Sequence, residues 1–185
     1  TKDEYLNAEK DFSKAIELWP DSDPVTKSDF YDDRAYLYQY LGSYDEAIED
    51  YKKSNELSSF YETLNNIGAQ YYKKNEIDSA LVYYDKAIIE YDNADSHAGK
   101  AKIYQNLNLY EDSLTEFYKV IELNPETNNY FYLINLYISN NKFDKAIEVS
   151  KKIMDLSPED PDIYYKRSLI YERQEEYVKA ILDSN

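Results

Sequence analysis

The chain has 185 residues, with 21 Lys or Arg against 37 Asp or Glu, so its formal net charge is −16. It contains no cysteine, which excludes disulfides, thiolate metal sites and a cysteine nucleophile. Its 3 glycines are isolated, which excludes a phosphate-binding loop, and the negative charge disfavours nucleic acid as a partner. The unusual count is that of tyrosine, with 23 residues.

A five-residue pattern recurs along the chain with a period of about 33 residues. Each copy has a large apolar residue, two mostly polar residues, a small residue and an aliphatic residue. The small residues follow one another at a nearly constant interval of one period. They are Ala47, Ala80, Ser113, Ala146 and Ala180.

The chain begins with a partial repeat. Residues 1–19 are predicted to form the second helix of a pair, because Tyr5 and Ala8 start the same pattern. Ala8 lies further from Ala47 than one period, and the Pro/Asp-rich stretch 20–24 is the natural place for the insertion. Neither end has a polar capping helix, so we expect a fragment of a longer protein. Complete repeats are predicted near 28–60, 61–93, 94–126 and 127–160, and a truncated repeat over 161–185.

Each period contains two predicted helices. In the first, large residues recur at spacings of 3, 4 and 7, as in Leu64, Ile67 and Tyr71, which places them on one helical face. The second helix has the same spacing around its small residue, and most of the tyrosines occupy these packing positions. Short polar turns make each pair an antiparallel αα-hairpin. The turns are Gly42-Ser43, Asn75-Glu76, Asn108-Leu109, Asn141-Lys142 and Glu175-Glu176.

This pattern resembles the tetratricopeptide repeat (TPR), written W-x2-L-G-x2-Y, then A-x3-F, A and P. The matching residues are Leu64, Ile67, Gly68 and Tyr71, then Ala80, Tyr84 and Ala87, and Phe117, Val120 and Pro125. The resemblance covers essentially the whole chain. It implies an all-α fold, a right-handed α-solenoid of stacked antiparallel helix pairs (TPR superhelix). The chain departs from the pattern at His97, Lys100, Ser150 and Arg167, where local packing is expected to differ.

Catalysis is not predicted. His97 is the single histidine, and its slot at the start of a first helix favours a packing role, with Asp92 and Asp95 capping or preceding that helix. Asp21 and Asp23 lack the glycine and the distal glutamate of a calcium loop. We therefore expect a protein that is not an enzyme and that needs neither cofactor nor metal.

The first helices of a TPR solenoid line its concave surface, where extended peptides or partner helices commonly lie. Asn amides there can hydrogen-bond a peptide backbone, and Tyr and Phe offer broad contact area. Asp29, Asp32 and Asp33 make this surface acidic toward the N-terminus. The predicted partner-binding residues are Tyr36, Tyr40, Asn65, Asn66, Tyr72, Lys73, Lys102, Gln105, Phe131, Tyr132, Asn135, Tyr165 and Lys166.

The leading hypothesis is a non-catalytic scaffold that binds a neutral or basic peptide segment or helix of a partner protein in the concave groove. Contact with nucleic acid or with a membrane is not expected. A carboxylate clamp of the kind that chaperone adaptors of this family use is disfavoured, because only Asn66 fits it. Two alternatives stay open: a structural module that self-associates through terminal helix faces or the Trp19 region, and the recruiting arm of an enzyme or regulator whose other domains lie outside this chain.

Overall fold

The computed structural model describes residues 2–174, which contain ten α-helices and no strand. The predicted pattern copy at 177–181, with its small residue Ala180, and the turn at Glu175-Glu176 lie outside the described residues. The helices are α1 (Lys2–Leu18), α2 (Pro24–Leu41), α3 (Tyr44–Leu57), α4 (Tyr61–Lys73), α5 (Ile77–Glu90), α6 (Ala94–Asn106), α7 (Tyr110–Leu123), α8 (Thr127–Ser139), α9 (Phe143–Leu156) and α10 (Pro161–Arg173).

Consecutive helices pack on one another, which confirms the predicted all-α fold of stacked helix pairs. The chain divides into two compact units, a first unit over Thr1–Gly99 and a second unit over Lys100–Asn185. In the first unit, α2 packs on α3 and α4 packs on α5. In the second unit, α8 packs on α9, and α9 packs on α10.

The Pro/Asp-rich stretch before α2 forms the start of that helix. The Asp23 carboxylate accepts a hydrogen bond from the Thr26 backbone N–H at 3.2 Å, and Pro24 occupies the first turn. Asp21 accepts a hydrogen bond from the Lys27 ammonium at 2.6 Å. These two aspartates therefore belong to a capped turn.

Each described hairpin turn contains one residue in the left-handed backbone conformation, with φ between 55° and 78°. Glycine adopts this conformation freely, and asparagine tolerates it better than most residues do. The next residue in each turn donates its backbone N–H to a tyrosine carbonyl oxygen at 2.8 to 2.9 Å, which ends the first helix. The left-handed residues are Gly42, Asn75, Asn108 and Asn141, and the acceptors are Tyr38, Tyr71, Tyr104 and Tyr137.

The small residue in the first turn of each described second helix from α3 onward is fully buried. Ala47, Ala80, Ser113 and Ala146 all have 0% exposure. The Ser113 hydroxyl donates a hydrogen bond to the Ala101 carbonyl oxygen at 2.9 Å, so this buried polar group has a hydrogen-bond partner where the two helices meet. Neighbouring helices approach closely at these points, and a larger side chain would overpack them.

Lys100, which departs from the TPR pattern, forms an ion pair inside its helix pair. Its ammonium lies 2.9 Å from the Glu116 carboxylate on α7, and the two side chains are only 14% and 13% exposed. Arg34 holds the equivalent position on α2. Its guanidinium makes two hydrogen bonds to the Asp50 carboxylate on α3, at 2.6 and 2.8 Å. In both pairs, the second helix supplies the counter-charge that a buried cation requires.

The other two complete repeats carry apolar pairs at these positions. Ile67 takes the place of the cation on α4, and Tyr83 takes the place of the acid on α5. Leu133 and Val149 hold the same positions on α8 and α9. The four helix pairs thus alternate between an ion pair and an apolar pair at one structural position.

Breaking one ion pair is expected to be costly. Asp50→Ala should lower the free energy of unfolding by about 3 kcal/mol, because it leaves the Arg34 guanidinium partly buried without its acid. The double variant Arg34→Leu/Asp50→Val recreates the Leu133 and Val149 pair and should lose less. Urea unfolding followed by circular dichroism measures both. A double variant that is less stable than Asp50→Ala would contradict the equivalence of the two solutions.

The Tyr84 ring on α5 packs between two glycines. A Cβ atom at Gly99 would lie 2.6 Å from Cε1 and 2.7 Å from Cε2 of this ring, and one at Gly68 would lie 3.0 Å from its edge. Tyr84 is 4% exposed, and burial raises its pKa to about 12. The two glycines are therefore required by close approach to the ring.

Gly99→Ala is expected to lower the free energy of unfolding by about 1–3 kcal/mol, because the new methyl group overlaps the Tyr84 ring. Gly68→Ala is the matched comparison and should lose less, since its Cβ stays 3.0 Å from the ring. Thermal and urea unfolding of the two variants measure the difference. A Gly99→Ala protein as stable as the wild type would contradict this account.

Candidate partner-binding face

The first helices of the first unit lie side by side and are joined by hydrogen bonds between side chains 31 residues apart. Each bond links the same part of two successive first helices, so α2, α4 and the start of α6 present a shared surface. The bonds join Thr63 to Asp32 (3.2 Å), Ser96 to Asn65 (3.1 Å) and Gln70 to Gln39.

Six of the predicted partner-binding residues lie in the first unit, and none of them is buried. Tyr40 is 67% exposed, and its ring contacts that of Tyr5 on α1 with centroids 5.1 Å apart. The Lys73 ammonium lies 5.5 Å from the Tyr44 ring centroid, and its partial burial lowers its pKa. The six residues are Tyr36 and Tyr40 on α2, and Asn65, Asn66, Tyr72 and Lys73 on α4.

Asn65 has one atom already engaged within the protein. Its side-chain oxygen accepts the Ser96 hydroxyl at 3.1 Å, which leaves the amide N–H groups as its donors toward a partner. The Gln70 side chain, by contrast, has 0% exposure. The hydrogen bond between Gln70 and Gln39 was not anticipated from the sequence, because it depends on how two successive repeats are aligned.

In the second unit, predicted residues gather around α8. The Lys102 ammonium lies 5.2 Å from the Tyr132 ring centroid, and the Lys166 ammonium lies 5.9 Å from that of Phe131. Tyr132 also stacks on the buried Phe117 ring, with centroids 6.0 Å apart. The set consists of Lys102 and Gln105 on α6, Phe131, Tyr132 and Asn135 on α8, and Tyr165 and Lys166 on α10.

Gln105 lies toward one end of this unit. It lines a small cavity of 220 Å³ together with residues of the α6–α7 and α8–α9 turns, among them Asn108 and Asn140. Tyr165 is 59% exposed on α10. The structure thus brings Lys102, Tyr132, Phe131 and Lys166 together and leaves Gln105 near the turns.

Asp32 marks the acidic part of the first unit. Its carboxylate is half-buried on α2 and accepts the Thr63 hydroxyl of α4. Burial raises the pKa of Asp32, and the neighbouring charges of Asp29 and Asp33 raise it further. The hydroxyl groups that donate hydrogen bonds to this carboxylate lower the pKa, but by less than the other effects raise it. The predicted acidic surface therefore includes one carboxylate, that of Asp32, whose environment disfavours its ionised form.

A tetratricopeptide-repeat family model matches residues 28–60 and 94–127. The chain therefore contains tetratricopeptide repeats. The matched segments cover α2 with α3 and α6 with α7, which are the two helix pairs that contain the Arg34 and Lys100 ion pairs. No curated protein matches the TPR chain significantly in sequence.

Solved structures share the helix-pair arrangement. A tetratricopeptide repeat protein from Parabacteroides merdae is 19% identical with a TM-score of 0.74, over 98% of this chain and 72% of that one. MamA from Desulfovibrio magneticus is 19% identical with a TM-score of 0.67, over 84% of this chain and 90% of that one. YrrB, described as a TPR protein with an unusual peptide-binding site, is 22% identical with a TM-score of 0.62, over 93% of this chain and 88% of that one. These similarities show the fold and confirm the predicted α-solenoid class.

The single histidine of the TPR chain is buried at the start of α6. His97 Nε2 lies 2.8 Å from the Asp92 carboxylate. The Asn93 side chain accepts the Ser96 backbone N–H at 2.8 Å, so Asn93 caps α6 where the sequence suggested Asp92 or Asp95. Asp92 is instead the partner of the histidine.

The described part of the TPR chain has neither a cluster of metal ligands nor a helix that could cross a membrane. Within residues 2–174, no three His, Asp or Glu side chains converge as metal ligands do. None of the helices in that range combines the length and the apolar character needed to cross a bilayer.

The raised pKa of Asp32 predicts a pH dependence of stability. The folded TPR chain binds this proton more tightly than the unfolded chain does, so protonation of Asp32 favours folding. That contribution is fully present below the unfolded pKa of about 4 and is lost as the pH rises through the raised folded pKa. Asp32→Asn should therefore be more stable than the wild type at neutral pH and should lack this part of the pH dependence.

Urea unfolding at a series of pH values from acidic to neutral measures the effect. Asp78→Asn is the control, because Asp78 is exposed on α5 and is not among the charges that act on Asp32, so the Asp32 contribution should persist in this variant. Identical pH profiles for Asp32→Asn and the wild type would contradict the assignment.

Proposed function

We propose that this chain is a non-catalytic scaffold that holds a neutral or basic segment of a partner protein against its first helices. Its TPR fold is that of a protein–protein interaction scaffold, and the class of such proteins is typically non-enzymatic. The observation that carries the choice of this face is the pair of aromatic residues Phe131 and Tyr132 on α8, which lie beside Lys166 and Lys102 respectively. The thirteen partner-binding residues, the concave groove and the repeat boundaries stay predictions.

The chemistry of this face suits an extended peptide. Exposed tyrosines such as Tyr36, Tyr132 and Tyr165 offer large contact areas and lose little rotamer freedom on binding. The Asn135 amide on the same face of α8 is exposed and has both donor and acceptor atoms for a peptide backbone. YrrB, which has the same fold, is described as having a peptide-binding site, and this supports the class of ligand.

The charge of the partner is inferred from the first unit. Asp29 and Asp33 are exposed on either side of the half-buried Asp32 carboxylate. A lysine or arginine of the partner placed there would meet three carboxylates and would favour the ionised form of Asp32. The chain charge of −16 disfavours acidic partners at long range in the same way.

The proposal is tested with a phage-displayed library of random twelve-residue peptides as the probe. Selected peptides that bind this face should be neutral or basic, and Phe131→Ala/Tyr165→Ala should weaken their binding at least about tenfold, because each truncation removes an aromatic contact. Isothermal titration calorimetry measures the affinities. Ile89→Ala is the control, since Ile89 is 84% exposed on the second helix α5 and lies outside the predicted face.

Two results would overturn the proposal. Affinity that survives the double variant would remove the assigned face. Acidic peptides whose binding is lost in that variant would remove the inferred charge preference. Light scattering over a range of concentrations addresses the self-association alternative. Phe30 partly covers Trp19, with ring centroids 5.2 Å apart. A mass that stays monomeric at all concentrations would exclude self-association through the Trp19 region.

A further inference from the structure

A cavity of 280 Å³ opens between α7, α8 and α9 in the second unit. Leu133 and the rings of Tyr130 and Tyr137 line it from α8, and Val149 lines it from α9. We propose that this cavity, the Val149 pocket, binds an aromatic side chain of a partner protein whose neighbouring residue carries a carboxylate. This site is additional to the proposed partner-binding face.

The Val149 pocket and the partner-binding face lie on opposite sides of α8. Successive residues of an α-helix are rotated by about 100°, so Tyr130, Leu133 and Tyr137 share one side. Phe131, Tyr132 and Asn135 fall on the other side. A single short segment of a partner therefore cannot contact both sites on α8, and binding at each site can be tested separately.

The equivalent space in the first unit is filled by a tyrosine of the chain itself. Tyr83 occupies the position on α5 that Val149 holds on α9, two periods later. Its ring stacks on Tyr71, with centroids 5.4 Å apart and planes at 25°. The Lys86 ammonium lies 4.5 Å from the centroid of the Tyr83 ring.

The second unit keeps two of the residues around that ring and lacks the ring. Tyr137 is the counterpart of Tyr71, and Lys152 is the counterpart of Lys86. In the first unit, the Lys52 ammonium lies 2.8 Å from the Tyr71 hydroxyl. Tyr118 takes the place of Lys52 in the second unit, and its hydroxyl lies 2.7 Å from the Tyr137 hydroxyl. Since Val149 is much smaller than tyrosine, the pocket is the space that an aromatic ring fills in the equivalent helix pair.

The rim of the Val149 pocket is positively charged. Lys145 lies 5.7 Å from the Tyr137 ring centroid, and Lys152 lies 5.6 Å from that of Tyr130. Within residues 4–174, neither lysine forms an ion pair, and Glu148 is the one carboxylate that lines the pocket. Two lysines against one glutamate, in a chain of net charge −16, select a ligand with a carboxylate beside its ring.

The size of the pocket is that of one side chain. An apolar cavity of about 150 Å³ accommodates benzene, whereas sites for drug-sized ligands begin near about 300 Å³. At 280 Å³, the Val149 pocket has room for a phenyl or phenol ring and part of its backbone. This favours a residue of a partner segment as the occupant.

The test uses three blocked tripeptides and NMR spectroscopy of the 185-residue chain. Acetyl-Asp-Phe-Asp-amide should cause saturable shifts of the Val149 methyl and Tyr118 signals. Acetyl-Asn-Phe-Asn-amide should bind at least about threefold more weakly, and acetyl-Asp-Ala-Asp-amide should cause no saturable shift. Equal affinity of the two Phe peptides would overturn the carboxylate requirement, and saturable binding of the Ala peptide would overturn the ring requirement.

Val149→Tyr places a ring where Tyr83 stands in the first unit and should abolish the response. Val82→Tyr is the matched control, because Val82 is 51% exposed on α5 and the substitution leaves the pocket intact. If Val149→Tyr does not fold, Lys145→Gln/Lys152→Gln should weaken only the Asp-Phe-Asp peptide. Binding that persists in folded Val149→Tyr, or shifts confined to Phe131 and Tyr132, would overturn the pocket assignment.

Discussion

The fold depends on the close approach of helices at one small residue in each second helix. Ala47, Ala80, Ser113 and Ala146 have no exposed surface, so the spacing between neighbouring helices is set by a methyl or hydroxymethyl group. The constant repeat period places this contact at the same point of each helix pair. A helix pair cannot bury its apolar face alone, and this contact lets the next pair cover it.

The residue one turn after the small residue keeps its place in each second helix, but its chemical type changes from one repeat to the next. Asp50 and Glu116 complete ion pairs there, Tyr83 fills the space with a ring, and Val149 leaves it open. An ion pair, an aromatic stack and a cavity can thus occupy equivalent sites of one scaffold. The alternation also distinguishes neighbouring repeats. If a first helix that carries the cation packed on the second helix of an adjacent repeat, the cation would be buried without its acid.

The two proposed binding surfaces differ in charge. The first helices carry Asp29, Asp32 and Asp33 in one unit, whereas the Val149 pocket has Lys145 and Lys152 at its rim. A basic segment that suits the three carboxylates of the first unit is therefore disfavoured at the Val149 pocket. Such differences in shape and charge are the means by which a scaffold selects its partners.

The repeat period, the all-α class, and the helix pairs and turns within residues 2–174 were determined by the sequence alone, because they depend on local spacing and on turn residues such as Asn75. The sequence also indicated that His97 and Lys100 depart from the pattern. It did not show their partners Asp92 and Glu116, and it missed the link between Gln39 and Gln70. The contacts of Lys100 with Glu116 and of Gln39 with Gln70, and the cavity beside Val149, were decided by tertiary structure, because they require side chains from different helices to meet at defined distances. A pattern along one chain records which residues face a neighbour, but only packing shows whether the space between them is filled.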